Sequence, residues 1–270
     1  MAINLKTLSG NPVSILGLGA NNPMNTNCID IAYQAGINYF FFYNLNYTSF
    51  LEGLKPILAA QRDQVVVSTG SNSRDLNQLR EYFDQVRSLL DVDTIDVFFL
   101  EYISPKDDLH QVAVALNQIH TWKTEGLIRY VGATTHNRKL AVELLRKQSC
   151  DVLMHRYNMA HRKAEVEVFP AALKADIPVV GFTATRWGSL LQGHKDWKNP
   201  APTAADCYRM VLRQPAIRLV LTAPKTESEL VENLRILQSP ELSLQEVNHW
   251  QTYGDLIYGT GQDSFDNKWP

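Results

Sequence analysis

The sequence has 270 residues, of which 45% are hydrophobic and 20% are charged, and its formal net charge at pH 7 is −2. This composition excludes an intrinsically disordered chain, because so large an apolar fraction with so little net charge can bury enough surface to offset the entropy of ordering. It also gives no electrostatic sign of nucleic-acid binding, since 26 Lys and Arg are balanced by 28 Asp and Glu.

No targeting or membrane segment is visible. The chain has no apolar run near the roughly 20 residues that a membrane-spanning helix needs, and its start, MAINLKTLSG, lacks the pattern of a signal peptide. Cys28, Cys150 and Cys207 share no metal-like spacing and are predicted to be buried thiols. We therefore expect a cytoplasmic protein with no metal, membrane or nucleic-acid partner, and the sequence leaves its oligomeric state open.

Short apolar runs alternate with amphipathic segments along the whole chain. The runs are typical of parallel strands buried on both faces and lie at Ile15–Leu18, Tyr39–Phe42, Val65–Ser68, Asp96–Leu100, Tyr130–Ala133, Val152–Met154, Pro178–Phe182 and Leu219–Thr222. Helical patterns follow at Thr26–Ala35, Leu76–Leu90, Val112–Glu125, Lys139–Arg146, Val168–Ala175, Ala204–Arg213 and Glu227–Leu237. The alternation predicts a single domain, residues 1–270, folded as a (β/α)8 TIM barrel.

Two additions flank the predicted barrel. Leu5–Leu8 and Val13–Ile15, joined by Ser9-Gly10-Asn11-Pro12, predict an N-terminal β-hairpin that covers the bottom of the barrel. Leu242–Tyr258 predicts an extra C-terminal helix, which the polar tail Gly259–Pro270 follows. Catalytic residues of such barrels lie at the carboxyl ends of the strands, so polar groups there are the candidate site.

Several segments resemble the aldo-keto reductases in the order in which that family carries them. They are LSGNPVSILGLGANNP, AGINYFFF, LDVDTIDVFFLE, KTEGLIRYVGATTHN, RYNMAHRKAEVEVFP and LVLTAPKTESELVENL. The resemblance covers nearly the whole chain and implies hydride transfer from NADPH to a carbonyl substrate. It also implies a catalytic tetrad of Tyr, Lys, Asp and His, in which the lysine lowers the pKa of the tyrosine.

Most of that tetrad is missing here. The aspartate position falls on Phe41, or on Phe42 if the gap is placed earlier, the lysine position is Gly70, and the histidine position is Glu101. The tyrosine is assigned to Tyr47, although an alignment without a gap reaches Asn46 instead. Losing the Asp and the Lys together removes a buried ion pair without leaving an unpaired charge in the protein interior.

Glu101 and Tyr47 are the first candidates for catalytic residues. Steroid double-bond reductases of the family carry glutamate at the position of Glu101, although they keep the Asp and Lys. A glutamate among apolar neighbours such as Phe99 and Phe41 is expected to have a raised pKa and to act as an acid. His136 is the next candidate because it follows a strand end, whereas His155-Arg156 are assigned to a polar network at the barrel mouth.

The resemblance also implies an NADP(H) site. The nicotinamide end would be held by Thr134-Thr135, where the family has Ser-Asn, with Phe182 stacked on the ring and Met154 replacing a glutamine. Lys225 would contact the 2′-phosphate and Asn233 the adenine, near a helix N-terminus that favours phosphate. The other implied cofactor contacts are Gly19, Thr183, Thr185, Thr226 and Glu229.

Two functions of different class remain open from the sequence. The first is an enzyme with altered chemistry on a small carbonyl-type substrate that suits an aromatic pocket. Its reaction would be either an NADPH-linked reduction or a non-redox step such as isomerisation, dehydration or cyclisation, using Glu101 and Tyr47. The second is an inactive barrel that binds a nucleotide or metabolite or serves as a partner subunit.

Overall fold

A computed structural model of the chain, which describes residues 5–238 and 241–259, shows a closed barrel of parallel strands paired in chain order. The strands are β1 (Leu16–Gly19), β2 (Tyr39–Phe41), β3 (Val66–Ser71), β4 (Ile95–Leu100), β5 (Ile128–Thr135), β6 (Val152–Arg156), β7 (Val179–Phe182) and β8 (Ile217–Thr222). The α-helices are α1 (Asn27–Gln34), α2 (Thr48–Gln61), α3 (Leu76–Leu90), α4 (Leu109–Thr124), α5 (Arg138–Arg146), α6 (Ala164–Ala175), α7 (Ala204–Leu212), α8 (Glu227–Leu234) and α9 (Leu244–Tyr258). The predicted TIM barrel is confirmed.

Successive side chains of each strand point alternately into the barrel and outward to the helices, and they form two separate apolar cores. Side chains such as Val66, Val97 and Phe99 fill the inside of the barrel, while a larger core lies between the sheet and the helices. Phe41 belongs to the inner core, whereas Phe42 is fully buried in the outer one. Of the two alternatives for the predicted aspartate position, Phe41 is therefore the one that faces the barrel interior.

The N-terminal segment closes the bottom of the barrel, as predicted, but from residue 5 onward the hairpin has a single antiparallel bridge, between Lys6 and Pro12. Leu5 and Val13 from this segment are buried against the inner core. Arg129 donates hydrogen bonds to the backbone oxygens of Lys6 and Thr7 and so ties the segment to β5.

A fully buried carboxylate lies in the lower half of the barrel. Asp96 of β4 forms ion pairs with Arg129 at 2.7 Å and with Arg62 at 2.9 Å. It also accepts a hydrogen bond of 2.8 Å from the backbone N–H of Val67. Two cations and an amide donor compensate the desolvation of this charge, which makes the cluster a structural element.

The remaining predicted elements hold with shifted boundaries. The extra C-terminal helix is α9, although residues 260–270 of the predicted tail lie outside the described residues. Cys28, Cys150 and Cys207 are buried free thiols. Within the described ranges, every helix is too short or too polar to span a bilayer.

Candidate functional site

One deep cavity of about 800 Å³ opens at the carboxyl ends of the strands. Its volume lies within the range of about 300–1,000 Å³ that is common for small-molecule sites. The cavity brings together ten predicted site residues: Gly19, Tyr47, Glu101, Thr134, Phe182, Thr183, Thr185, Lys225, Glu229 and Asn233. Thr135, His136 and Thr226 are not among its lining residues in the described chain.

Phe99 and Glu101 together occupy the space that a side chain at position 70 would need. Gly70 on β3 pairs with Phe99 on β4, two residues before Glu101. A Cβ atom added to Gly70 would lie 2.6 Å from the backbone oxygen of Phe99 and 2.7 Å from Oε1 of Glu101. Both distances are far below van der Waals contact, so the glycine and the glutamate are complementary in space.

The environment of Glu101 favours its neutral form. The side chain is only 3% exposed, and its Oε1 has no hydrogen-bond partner among the described residues. Burial raises the pKa of this carboxyl to about 8, although the positive charge of Arg74 acts to lower it. Arg74 donates to the backbone oxygen of Glu101 at 3.0 Å and is ion-paired with Asp107 at 2.6 Å. Glu101 is therefore a protonated acid at neutral pH.

Aromatic rings form one wall of the cavity. Phe41 packs edge-on against Phe99, with ring centroids 6.0 Å apart, and Tyr43 packs edge-on against Tyr47 at 5.3 Å. Burial, reinforced by a hydrogen bond with Tyr43, raises the pKa of Tyr47 above its ordinary value. Without a neighbouring lysine, Tyr47 therefore remains a neutral phenol that can donate a hydrogen bond.

The two threonines that the sequence predicts at the nicotinamide end form hydrogen bonds with the protein backbone. Thr134 Oγ1 accepts a hydrogen bond of 2.6 Å from the backbone N–H of Tyr102, and Thr135 Oγ1 donates to the backbone oxygen of Ile103 at 2.6 Å. The Thr135 hydroxyl holds the loop after β4 instead of lining the cavity. Thr134 lines the cavity and is buried, as is Met154.

The connection after β7 forms the far side of the cavity. Thr183 Oγ1 is buried and has no hydrogen-bond partner within the described chain, and Thr185 Oγ1 accepts from the backbone N–H of Gly188 at 3.3 Å. Trp187, which is half exposed, lies at the rim. A buried hydroxyl without a partner indicates that a polar ligand group belongs beside Thr183.

The end of the cavity where the sequence predicts the adenosine is built by β8 and α8. Asn233 Nδ2 donates to Thr222 Oγ1 at 3.0 Å, which fixes the orientation of its amide. Thr226 caps α8 by accepting from the backbone N–H of Glu229, so this hydroxyl has a structural role. In the described chain, Lys225 is the only positively charged side chain among the residues that line the cavity.

His136 lies beside the main cavity rather than in its lining. Its ring centroid is 5.8 Å from that of Tyr102 and 5.5 Å from that of Phe182, both of which line the cavity. The imidazole also lines a second, smaller cavity that lies behind this row of rings.

Sequence reasoning missed two contributors to the site. Arg74, on the loop after β3, supplies the positive charge that acts on Glu101, and its signal was its position just after the lost lysine. The segment Pro202–Ala204 together with Tyr208 of α7 forms part of the cavity wall. The length of the connection between the seventh strand and the seventh helix indicates that this segment contributes to the site.

A closed (β/α)8 barrel with a cavity at the carboxyl ends of its strands defines the class of barrel proteins whose functional sites lie at those ends. The chain belongs to the aldo/keto reductase family, whose model matches residues 21–205. Its low identity to the relatives, 17–20%, makes it a divergent member.

The relatives are distant but span the whole domain. An uncharacterized oxidoreductase, YqkF, of Bacillus subtilis (strain 168) is 20% identical over 281 aligned positions, covering 88% of this chain and 90% of the relative. Among solved structures, the holo form of aldo-keto reductase AKR11C1 from Bacillus halodurans has a TM-score of 0.76 and 18% identity, over 97% of this chain and 100% of that one. An aldo/keto reductase from Klebsiella pneumoniae, in complex with NADP and acetate, has a TM-score of 0.73 and 17% identity, over 94% and 96%.

The residues present are compatible with NADP(H), which structural neighbours hold. The unpartnered Thr183 hydroxyl suits a phosphate oxygen, Lys225 suits the 2′-phosphate, and the oriented amide of Asn233 suits the adenine. Phe182 lines the cavity where a nicotinamide ring would stack. The carboxamide end has fewer matching groups, since the family's amide side chains are Thr135 and Met154 here.

Proposed function

We propose that this protein is an NADP(H)-linked reductase of planar, conjugated carbonyl compounds, with Glu101 as its acid. The observation that carries this proposal is the buried Glu101 carboxyl in the main cavity, whose Oε1 has no hydrogen-bond partner among the described residues. Burial raises the pKa of this carboxyl to about 8. Bound NADPH would supply a hydride. The aromatic wall that contains Phe41 and Tyr43, whose rings are tilted by 36° to each other, favours a planar substrate.

In this reaction, the residues of the chain would supply a proton and orient the substrate. A neutral Glu101 donates a hydrogen bond to the substrate carbonyl oxygen and holds the proton that this oxygen needs as it gains charge. Tyr47, which follows β2 and is also neutral, can donate to the substrate when its single O–H turns away from Tyr43. A carboxyl of pKa about 8 replaces the lysine-activated tyrosine of the family as the group of matched acidity.

A second candidate is an acid–base reaction without hydride transfer. This reaction is supported by the hydrogen bonds that the Thr134 and Thr135 hydroxyls form with the loop after β4, because these hydroxyls are then not available to a nicotinamide. An isomerisation would use the same Glu101 proton but need no nicotinamide contacts. The inactive binding barrel is the third possibility, and it requires neither group.

A cofactor titration followed by a substrate panel separates these functions. Trp187 lies at the cavity rim, so NADPH binding should quench its fluorescence. The reductase proposal expects saturable binding and oxidation of NADPH by an unsaturated carbonyl compound, lost in Glu101→Gln and retained in the exposed control Glu52→Gln. Absence of binding at millimolar NADPH would refute the reductase, and turnover of the substrate without NADPH would identify the acid–base reaction.

The pH profile tests the assignment of the acid. Because the protonated form of Glu101 is the active one, the rate should be constant below a pH of about 8 and fall above it. Arg74→Met removes a charge that lowers this pKa, so its alkaline limb should move to higher pH. An unchanged limb in that variant would exclude Glu101 as its source.

A further inference from the structure

The in-and-out alternation of side chains along β4 breaks just after the strand ends. Phe99 belongs to the inner core and Leu100 to the outer one. In a regular strand, Glu101, Tyr102 and Ile103 would therefore point inward, outward and inward. Instead, Glu101 and Tyr102 both line the main cavity, and Ile103 is buried in the outer core. Two consecutive side chains thus face the same cavity.

A left-handed backbone at Tyr102 accompanies this break. The φ angle of Tyr102 is +54°, a conformation that residues with bulky side chains rarely adopt. Such a conformation persists only where the surrounding structure holds it, and it is found more often at functional sites than elsewhere. The contacts that hold Tyr102 are therefore part of what shapes the cavity.

Thr134 of β5 holds the backbone of Tyr102. The regular pairing of β4 with β5 ends at Leu100, opposite Ala133. Beyond that point, the backbone oxygen of Thr134 accepts from the N–H of Ile103 at 2.8 Å, and Thr134 Oγ1 accepts from the N–H of Tyr102 at 2.6 Å. Thr134 is only 3% exposed. Removing its hydroxyl would leave the Tyr102 N–H without this acceptor, which is unfavourable in a buried place.

The backbone of Glu101 is held separately, from the side of β3. Its N–H donates to the backbone oxygen of Ser71 at 2.9 Å, and its own backbone oxygen accepts from Arg74 at 3.0 Å. Neither contact involves Thr134. Loss of the Thr134 hydroxyl should therefore release Tyr102 while the main chain of Glu101 stays in place.

The phenol of Tyr102 shares its surroundings with the carboxyl of Glu101. Burial and the negative charge of Glu101 raise the pKa of Tyr102 above its ordinary value. Burial also raises the pKa of Tyr47 and of Tyr82 on α3, and Glu101 acts on both in the same direction. Arg74 is the cation that acts on Glu101 itself. Tyr102 is thus one of three phenols around the acid, and it comes from the residue next to it.

We propose that Thr134 is a positioning residue for the substrate end of the site. Its hydroxyl holds Tyr102 in the left-handed conformation, so that the phenol ring stays in the main cavity beside Glu101, limits the access of water to the carboxyl and contacts the substrate. Thr134 then serves the acid and the substrate instead of the nicotinamide contact predicted from the sequence. This inference rests on the proposed function, in which Glu101 is the acid.

The first test compares matched variants without any turnover. Thr134→Val keeps the shape of the side chain but removes the acceptor, whereas Thr134→Ser keeps the acceptor. The ¹³C carboxyl resonance of Glu101, followed from pH 5 to pH 9, should titrate about one pH unit or more lower in Thr134→Val, because water then reaches the carboxyl. It should titrate near the native value in Thr134→Ser. Thr135→Val removes a hydrogen bond to Ile103 in the same loop and should lower stability in urea without moving this resonance.

A double-mutant cycle tests whether Thr134 acts through Tyr102. Tyr102→Ala leaves Thr134 intact and should displace the Glu101 resonance in the same direction, also if Thr134→Val does not fold. In the Tyr102→Ala background, Thr134→Val should add little further displacement. With a reduced carbonyl compound, Thr134→Val should raise KM about tenfold, and Thr134→Ser should restore it.

Several results would overturn the positioning role. They are a native resonance in Thr134→Val or in Tyr102→Ala, equal displacements in Thr134→Val and Thr135→Val, and an effect of Thr134→Val that is undiminished without the Tyr102 ring. Weaker NADPH binding in Thr134→Val with a native Glu101 resonance would return Thr134 to the cofactor. If the native protein reduces no carbonyl compound, the proposed function fails, while the Glu101 resonance still decides the role of Thr134.

Discussion

Replacing Glu101 by Gln should make the protein more stable at alkaline pH. The folded-state pKa of about 8 lies above the ordinary value of 4.5, because burial penalises the charged form. Between these two values the folded protein holds a proton that the unfolded chain releases. The contribution of Glu101 to stability is therefore fully present below a pH of about 4.5 and is lost as the pH rises to about 8.

The size of this change in stability follows from the difference between the pKa of Glu101 in the folded protein and in the unfolded chain. Each pH unit within that window changes the free energy of unfolding by about 1.4 kcal/mol, so from pH 5 to pH 9 the loss in the native protein is on the order of 4 kcal/mol. A domain with a total stability of about 5–15 kcal/mol would lose a large part of it. The Gln variant has nearly the same shape but no titrating group, so it should escape this loss.

Urea unfolding at pH 5 to 9 measures the difference. The free energy of unfolding of Glu101→Gln should exceed that of the native protein by a margin that grows with pH, and the control Glu52→Gln should follow the native protein throughout. A ¹³C carboxyl resonance of Glu101 that titrates near pH 8 would confirm the pKa directly. Parallel stability profiles for the native and Gln proteins, or a resonance that titrates near 4.5, would refute the reasoning.

Three further variants test other features. Gly70→Ala should lower stability by about 1–3 kcal/mol in urea unfolding, because the new methyl group collides with backbone and Glu101, whereas Gly19→Ala, whose Cβ would lie 3.5 Å from its nearest neighbour, should be tolerated. Asp96→Asn should cost about 3–5 kcal/mol, because two guanidinium groups lose their buried counter-charge, and a smaller change would show that they rearrange. Lys225→Met should weaken NADPH binding in fluorescence titrations but leave NADH binding unchanged; an equal loss for both would place Lys225 away from the 2′-phosphate.

The barrel was predictable because its strands are apolar on both faces and recur at regular intervals. Helix starts were harder to predict where the first turn is polar. Apolar periodicity placed the sixth helix from Val168, yet α6 begins at Ala164, with Glu165 and Glu167 in its first turn. Acidic residues in the first turn interact favourably with the helix dipole. They are visible in the sequence, but a search for apolar periodicity does not detect them.

The site was predictable in identity more than in orientation. Glu101 could be named from the family pattern, and its burial followed from the apolar residues around it. His136 was expected in the pocket because it follows a strand, but its ring lies between Tyr102 and Phe182 and lines the smaller cavity. The direction of a side chain after a strand end depends on packing from other segments, which one sequence does not encode locally.

The fit of Glu101 over Gly70 also restricts how this protein could change further. A side chain introduced at position 70 would collide with the backbone oxygen and Cβ of Phe99 as well as with the carboxyl of Glu101. Replacing Glu101 alone would leave the contact of 2.6 Å with the Phe99 oxygen in place. A larger residue at position 70 therefore requires β3 and β4 to shift, so this barrel does not regain a functional side chain there by one substitution.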